Sequence, residues 1–478
     1  MQETNDLPLV VDLDGTLTLT DTLTESVIQL VKRNPSNIIR LPMWLLQGRS
    51  AIKHKIAARS NFSAEYLPYR EALIDFLTVE KIRGRRIILA TAAHGSIASS
   101  VSAHLGLFDE VLATKGDINL KGSAKLEKVR ECVGGPFVYV GDSYADLPVW
   151  LGSQAAILAG VSPRLAALVR EHVPIEREFT NRKIGLHVWL KALRVHQWLK
   201  NLLLFVPLLT AFSFFDTDKL VTLAMAFISM SLGASATYIA NDIWDLESDR
   251  RHPRKQYRPF ASGTLTISSG LLSIVALLIA SVALAFSVSV EFAAMLVLYL
   301  VLTTVYSWFL KSRVMIDVIT LSLLYTLRIL AGSVAVQINT SRWLLAFSVL
   351  TFLNLALVKR CSELVSLRAS GDTATVGRDY HVADLEVLWP LGIGASLAAV
   401  VVFGLFINAP DTAVRYALPD LLWLVALGLI SLFARLWIKT VRGAMDDDPV
   451  VYLIEDHGSL LTILIMVAIM MTAHFVQL

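Results

Sequence analysis

Cysteine is almost absent. Cys132 and Cys361 are the two in 478 residues, far apart and unmatched, which excludes a disulfide framework and a cysteine metal site. Charge is also scarce: Asp, Glu, Lys and Arg make up 17% of the chain, and 55% is hydrophobic. A mean hydropathy of +0.58 lies far above that of a soluble protein. Low-complexity tracts and short-period repeats are missing. The formal net charge is only +3. Its basic residues are spread along loops, without interleaved aromatics on one soluble face, so the chain is not expected to bind nucleic acid. The polar, acidic N-terminus runs into a strand, and no secretory leader is expected.

What the chain does have is long apolar runs, unevenly placed. Residues 1–165 read as a soluble domain, 166–190 as a polar linker and 191–478 as a membrane domain. About nine runs are long enough to span a bilayer: 199–215, 220–240, 265–287, 292–310, 316–336, 343–358, 388–407, 417–438 and 459–476. Backbone groups in lipid must pair internally, so such runs are helices. Segments 180–200, 241–258, 311–313, 359–378 and 439–457 hold nearly all the Lys and Arg, whereas the alternate loops carry few. The positive-inside rule then places the basic loops and the soluble domain in the cytoplasm, on a cell (inner) membrane. An odd number of spans puts the C-terminus outside.

The run from Asn241 to Asp249 carries the most chemistry. Continued as a helix, it puts Asp242, Asp245 and Asp249 at i, i+3 and i+7, on one face. Three adjacent carboxylates repel one another unless a cation neutralises them. Hard oxygen ligands suit Mg²⁺, which completes its shell with water and substrate phosphates. Arg250, Arg251, His252, Arg254, Lys255 and Arg258 follow. A carboxylate face beside a cationic loop at a membrane boundary reads as a Mg²⁺–diphosphate site. Further polar residues gather on that side: Arg194, Gln197, Lys200 and Asn201; Tyr306, Ser307, Lys311 and Asp317; Lys359, Arg360 and Glu363; and Arg378, Asp379 and Tyr380. Arg328 falls inside a span, where a charge should face a partner or a wet cavity.

Asn241, Asp242, Asp245 and Asp249, followed by Arg258, Pro259 and Gly263, resemble the UbiA superfamily of intramembrane prenyltransferases, as do Tyr306, Ser307, Leu310 and Lys311 with Asp317 downstream. The resemblance covers about residues 185–478. It implies an all-helical bundle of nine spans, a cavity opening to lipid, and Mg²⁺-assisted loss of diphosphate. Members that prenylate aromatic acids carry a second paired-Asp motif after the sixth span. Here that place reads Lys359, Arg360, Cys361, Ser362, Glu363. This, with Arg194, Gln197, Lys200 and Asn201 opening the first span, is similar to the decaprenyl-phosphate phosphoribosyltransferase branch. Two phosphorylated substrates carry more negative charge than an allylic diphosphate and an aromatic acid, which suits cations in place of carboxylates.

In the soluble region, three apolar strands end in polar residues: Val10–Asp14, Arg86–Thr91 and Phe137–Asp142, with amphipathic stretches at 97–107 and 123–131 between them. The pattern predicts a parallel α/β sheet with ligands at the strands' carboxyl ends. Asp12-x-Asp14-Gly15-Thr16, Thr91, a Lys, and Gly141-Asp142 with Asp146, in that order, resemble the haloacid dehalogenase superfamily. The resemblance implies Asp12 as nucleophile, Asp14 as general acid/base, Thr91 and Lys125 as phosphoryl-binding, and Asp12, Asp142 and Asp146 as Mg²⁺ ligands. Lys121 is the weaker alternative to Lys125. A metal-bound carboxylate attacking phosphorus is coherent chemistry. Residues 17–80 read as a helical cap, with Trp44, Arg49, Lys53, His54, Lys55, Tyr66 and Tyr69 as possible contacts to the substrate's non-reacting part.

The fold class expected is therefore multidomain: a Rossmannoid α/β domain with a helical cap, plus a polytopic all-α bundle. The leading functional reading is transfer of 5-phosphoribose from phosphoribosyl diphosphate to a polyprenyl phosphate, with the phosphatase removing the 5-phosphate. Asp242, Asp245 and Asp249 hold Mg²⁺ in this reading. Asn241, Arg194, Lys200, Arg258, Tyr306, Lys311, Lys359, Arg360, Glu363 and Arg378 bind substrate. A second reading is prenyl transfer from a polyprenyl diphosphate to an aromatic acceptor. A third is a non-enzymatic membrane scaffold. Oligomer formation is compatible with all three.

Overall fold

The computed structural model describes residues 6–45, 55–56, 59, 62–114, 120–181, 184–371, 373, 375, 378–445 and 449–476. Arg49, Lys53 and His54 of the expected cap lie outside them. The chain divides into two compact units: residues 1–193 with 238–274, and residues 194–237 with 275–478.

The first unit is built on six parallel strands, β1 (Leu9–Val11), β2 (Ile87–His94), β3 (Glu110–Thr114), β4 (Val138–Gly141), β5 (Ala155–Ala159) and β6 (Ile175–Phe179), in the order β3-β2-β1-β4-β5-β6. β1, β4 and β5 are buried along their whole length, as central strands covered on both faces must be, so their sequences read as unbroken apolar runs. Alternate residues serve opposite faces. Leu9, Val11, Leu89 and Val140 pack with α3 (Glu71–Ile82) and α4 (Gly95–Leu105) through Leu73, Leu77, Ile97 and Val101. Val10, Ile88 and Tyr139 pack with α5 (Ser123–Val133) and α6 (Pro163–His172) through Val129, Leu165 and Val169.

Two sequence boundaries shift. Residues 166–190 are not a plain linker: α6 and β6 lie there, and β6 pairs with β5. Pro163 starts α6 behind the Ser162 cap, whose hydroxyl accepts from the Leu165 amide, a first-turn position where proline's fixed φ suits a helix. The cap is also shorter than 17–80. Among the described residues its full helices are α1 (Thr22–Arg33) and α2 (Asn37–Leu45), with a small core of Leu30, Trp44 and Ile56. α3 belongs to the sheet layer, because Leu73 and Leu77 face the strands. The same unit includes the end of α7 (Thr217–Trp244), α8 (Leu246–Arg251) and the start of α9 (Ile267–Val288).

In the second unit the helices carry apolar outer faces that only lipid would solvate, including Ile279, Val401, Leu427 and Ile465. Eight helices among the described residues are long and apolar enough to cross a membrane, against about nine expected. The difference lies at 199–215. That stretch is a 3₁₀ segment, Val195–Phe205, followed by the short helix Val206–Thr210, with Arg194 and Phe212 at positive φ on either side. Polar anchors account for the tighter winding: the Trp198 indole donates to Ser235 Oγ (2.9 Å) and the Asn201 amide to Ser231 Oγ (2.9 Å). The parity argument for the C-terminus thus lacks its ninth long helix. α10 (Ile316–Val336) is the most buried span, at 67%, and hides Asp317, Ser322, Arg328 and Ser333.

Candidate active sites

In the first unit, Asp12, Asp14, Asp142 and Asp146 gather at the carboxyl ends of β1 and β4 around a 460 Å³ cavity, which Lys121, Lys125 and His94 also line. β1 ends one residue before Asp12, whose Oδ1 accepts from the Leu13 amide (2.8 Å). Gly15 turns the chain at φ +80°, and a Cβ there would lie 2.2 Å from Asp142 Oδ2. A glycine is therefore required both for the left-handed turn and for the approach of Asp142. Arg70 holds the turn, donating to the carbonyls of Thr16 (3.0 Å) and Gly15 (2.9 Å). Asp14 Oδ1 accepts from the Thr22 amide at the start of α1 (2.8 Å).

Lys125 reaches the cluster from α5. Its Nζ lies 3.0 Å from Asp12 Oδ1 and 3.2 Å from Asp146 Oδ1, and donates to Tyr139 Oη at 2.9 Å. Tyr139 donates to Asp146 Oδ1 (2.7 Å), and Asp146 Oδ2 accepts from the Asp142 and Ser143 amides. Lys121 lines the cavity without a place in this network. Thr91 is fully buried inside β2, which continues to His94 rather than ending at Thr91 as expected, and its hydroxyl accepts from the Ala93 amide (3.0 Å).

Burial dominates the electrostatics. It pushes Asp12 up to about 8, with Asp146 and Asp14 adding to the rise and Lys125 opposing it. Asp142 rises to about 7, through burial first and Asp146 second. For Asp146, burial works against ionisation, but Lys125, Tyr139 and Ser143 outweigh it and hold the carboxyl below the usual range. Burial likewise opposes the charge on Lys125, yet Asp12 and Asp146 raise it. Two carboxyls kept from ionising beside one anchored carboxylate is what a cation site looks like without its cation. Asp12, Asp142 and Asp146 each offer an oxygen, all within 4.8 Å of one another. Hard, converging oxygen donors fit Mg²⁺.

The Asp run sits at the break between α7 and α8. Asp245 interrupts the helix, with φ −96° and ψ 12°, although its amide still bonds to Asn241 O (2.9 Å) and its carbonyl accepts from the Asp249 amide (2.8 Å). Asp242 and Asp249 are buried. They meet on one guanidinium nitrogen: Arg258 Nη1 lies 3.1 Å from Asp242 Oδ1 and 2.6 Å from Asp249 Oδ2. Asp245 is partly exposed, with Lys32 Nζ at 4.0 Å. Among the described residues, the three do not converge on one point as Asp12, Asp142 and Asp146 do. Arg250 is committed elsewhere, in a bidentate pair with Glu25 of α1 (2.6 and 2.8 Å), and its Nε donates to Ala261 O (2.9 Å).

In the second unit, α11 (Arg342–Ser370) carries Lys359, Arg360 and Glu363. Arg360 is fully buried and ion-paired with Asp317 (2.7 Å) and Glu363. Arg378 Nη1 joins Glu363 at 2.7 Å, and Tyr380 donates to Asp317 Oδ1 at 2.5 Å. Arg360, Glu363 and Arg378 therefore share a single network with Asp317. Tyr306 opens a π-helical turn, Tyr306–Leu310, which Lys311 follows, and lies within electrostatic reach of Arg378 and Arg360. Lys200 Nζ sits 5.8 Å above the Tyr325 ring. Arg194 caps the 3₁₀ segment at φ 51°. Arg328 finds partners in Asn201 Oδ1 (2.9 Å), Leu324 O (2.7 Å) and Tyr299 Oη (2.8 Å).

Sequence reasoning missed Tyr139 and Arg70. Tyr139 was hidden in the apolar run of β4, and nothing in that run marks its hydroxyl as useful. Arg70 lies next to Tyr69 in a stretch read only as cap.

A UbiA prenyltransferase family model matches residues 202–454, more than half of the chain, and a haloacid dehalogenase-like hydrolase model matches residues 9–150. The chain is similar to the uncharacterized protein y4nM of Sinorhizobium fredii, at 35% identity over 95% of this chain and 88% of that protein. It is 34% identical to the nodulation protein NoeC of Azorhizobium caulinodans over 59% of this chain and 92% of NoeC. It is 31% identical to the decaprenyl-phosphate phosphoribosyltransferase of Mycobacterium tuberculosis over 45% of this chain and 72% of that enzyme. With the Asp run, the membrane-type helices and the α/β region all in place, the chain belongs to the UbiA prenyltransferase family and is an enzyme that carries an N-terminal haloacid dehalogenase-like domain.

Proposed function

We propose that this multi-pass membrane enzyme transfers 5-phosphoribose from phosphoribosyl diphosphate to a polyprenyl phosphate, and that its α/β domain then removes the 5-phosphate. The observation that carries the reading is that Lys359 and Arg360 stand where aromatic-acid prenylating members have paired Asp: Arg360 is spent on Asp317 and Glu363, which leaves Lys359 as the cation of that step. The likeness to a decaprenyl-phosphate phosphoribosyltransferase supports it.

Asp242 and Asp249, with Asp245, would hold Mg²⁺, which shields the diphosphate and makes it a better leaving group. In this reading Arg258, Lys200, Lys311 and Lys359 would offset the anionic charge of the substrates, and Arg194, Asn241, Tyr306 and Arg378 would bind them. Arg360 and Glu363, paired with each other, would hold the network around Asp317. The C1–O bond to diphosphate breaks as a lipid phosphate oxygen bonds to C1. Transfer on the cytoplasmic side would keep the soluble reactant, phosphoribosyl diphosphate, within reach.

In the α/β domain, Asp12 attacks phosphorus while Asp14 donates a proton to the departing O5 of ribose. Water then attacks the aspartyl phosphate, Asp14 takes its proton, and inorganic phosphate leaves. Lys125 offsets the charge that builds on phosphoryl oxygen, and Asp12, Asp142 and Asp146 would hold a Mg²⁺ that adds to that effect when bound. Thr91 and Lys125 position the phosphoryl group.

The test supplies the purified chain with labelled phosphoribosyl diphosphate, polyprenyl phosphate and Mg²⁺, and follows the lipid by mass spectrometry. The intact enzyme should yield ribosyl lipid, and Asp12→Asn should accumulate the phosphorylated form. Failure of Asp12→Asn to accumulate it overturns the coupling. Turnover of labelled prenyl diphosphate with an aromatic acid, and none with phosphoribosyl diphosphate, overturns the transferase assignment.

A further inference from the structure

The Asp242–Asp249 pair is already bridged by a cation of the chain itself. Both side chains are almost fully buried, at 3% and 4% exposed, and a single nitrogen of Arg258 bonds to one oxygen of each. Two carboxylates this close and this buried repel strongly unless a cation lies between them. We propose that Arg258 is the resident counter-ion of this pair, and that a divalent cation binds there by displacing it. The inference rests on the reading of Asp242 and Asp249 as metal ligands.

The local structure allows such an exchange. Arg258 is 28% exposed, so its guanidinium has a route outward. Its backbone is fixed from both sides. The Arg258 amide bonds to Lys255 O (2.9 Å), the Leu265 amide to Pro259 O (2.9 Å), and Arg250 Nε to Ala261 O (2.9 Å). Gly263 at φ +69° closes the turn against Leu19 and Pro68. A side chain on a held backbone can change partner without the loop unfolding. Metal alone must compete with two charge-assisted hydrogen bonds. Metal arriving with a diphosphate offers the released guanidinium a new anion, so the two ligands should bind synergistically. One cation replaces another, and the carboxylates are never left uncompensated.

The test is Mn²⁺ titration of the full chain in detergent, read by electron paramagnetic resonance. Asp142→Asn in every sample weakens the second metal centre. Removing a competing charged hydrogen-bond partner, Arg258→Gln should tighten Mn²⁺ binding without diphosphate by about tenfold or more. Inorganic diphosphate should strengthen Mn²⁺ binding in the chain that keeps Arg258 and do so much less in Arg258→Gln. Arg258→Lys, which keeps the charge but not the guanidinium fork, should tighten Mn²⁺ less than Arg258→Gln does, and equal tightening by both overturns competition by the cation. Arg258→Gln binding that is unchanged or weaker overturns the displacement. Should Arg258→Gln fail to fold, absence of diphosphate synergy in the Arg258 chain overturns it instead. Mn²⁺ stoichiometry that survives Asp242→Asn with Asp249→Asn removes the metal reading of the pair, and the displacement with it.

Discussion

At the scale of single residues, Gly15 shows how a backbone position decides chemistry. Alanine there must adopt φ +80° and place its Cβ 2.2 Å from Asp142 Oδ2. Gly15→Ala should leave the sheet folded but push Asp142 out of the cluster, lowering phosphatase turnover by about 10²-fold, as misplacement of about an ångström does. Turnover of a soluble phosphate ester, with circular dichroism as the folding control, checks it. The raised carboxyls give a second prediction. Burial pushes metal-free Asp12 up to about 8 and Asp142 up to about 7, against 3.8 for an ordinary aspartate. Between about pH 4 and those values the folded site keeps protons that the unfolded chain has lost, so rising pH destabilises the metal-free domain across that window. Mg²⁺ needs the ionised forms and expels those protons, so its affinity should climb from pH 6 to about pH 8 and then level off. Calorimetric titration in buffers of different ionisation enthalpy would read both the affinity and the proton release; affinity independent of pH would contradict it.

At the scale of elements, what the sequence disclosed depended on how each segment is held. β1 and β4 were legible because central parallel strands are apolar throughout, and the acids at their ends were legible because ligand sites of parallel sheets lie at the strands' carboxyl ends. The 199–215 stretch was misread because its apolar content suits a straight helix. Its winding is set by Asn201 and Trp198 bonding to serines on another segment, which no local pattern encodes. Arg328 donates to Asn201 as part of the same arrangement, and Gly332 lets α10 touch it: a Cβ there would lie 2.0 Å from Leu204 O. Gly332→Ala should force the 3₁₀ segment off α10 and lower the melting temperature in detergent, an overpacking effect of about 1–3 kcal/mol. Gly394, where a Cβ meets no atom within 4 Å, is the control position. The Glu25–Arg250 pair joins α1 to α8 and is nearly buried. Replacing Arg250 alone by Met leaves Glu25 uncompensated and should cost about 3–5 kcal/mol, whereas Glu25→Leu with Arg250→Met should recover most of it. Thermal denaturation of the four proteins of that cycle gives the coupling directly.

At the scale of the whole molecule, the composition shift near residue 190 divides the sequence into a soluble and a membrane part, but the compact units divide it differently. Residues 238–274, which carry the Asp run, cluster with residues 1–193. Glu25 pairs with Arg250, Lys32 donates to Trp244 O (3.1 Å), Lys191 donates to Tyr257 O (3.1 Å), and Arg251 lies 4.6 Å over the Tyr66 ring. Composition could not reveal this, since it reports what each segment is made of and not what it rests against. A chain beginning at Arg194 would keep every long apolar helix but lose these supports. Its transferase activity should fall well below that of the full chain, with membrane insertion, read by flotation, unaffected.

The seam that matters in this enzyme is therefore not the one visible along the polypeptide. Scission just ahead of Arg194 would sever a covalent thread while leaving the severed piece still gripping the stretch around Tyr257 through contacts of its own. The two fragments should travel together through a sizing column, and separate only when salt and denaturant loosen that grip.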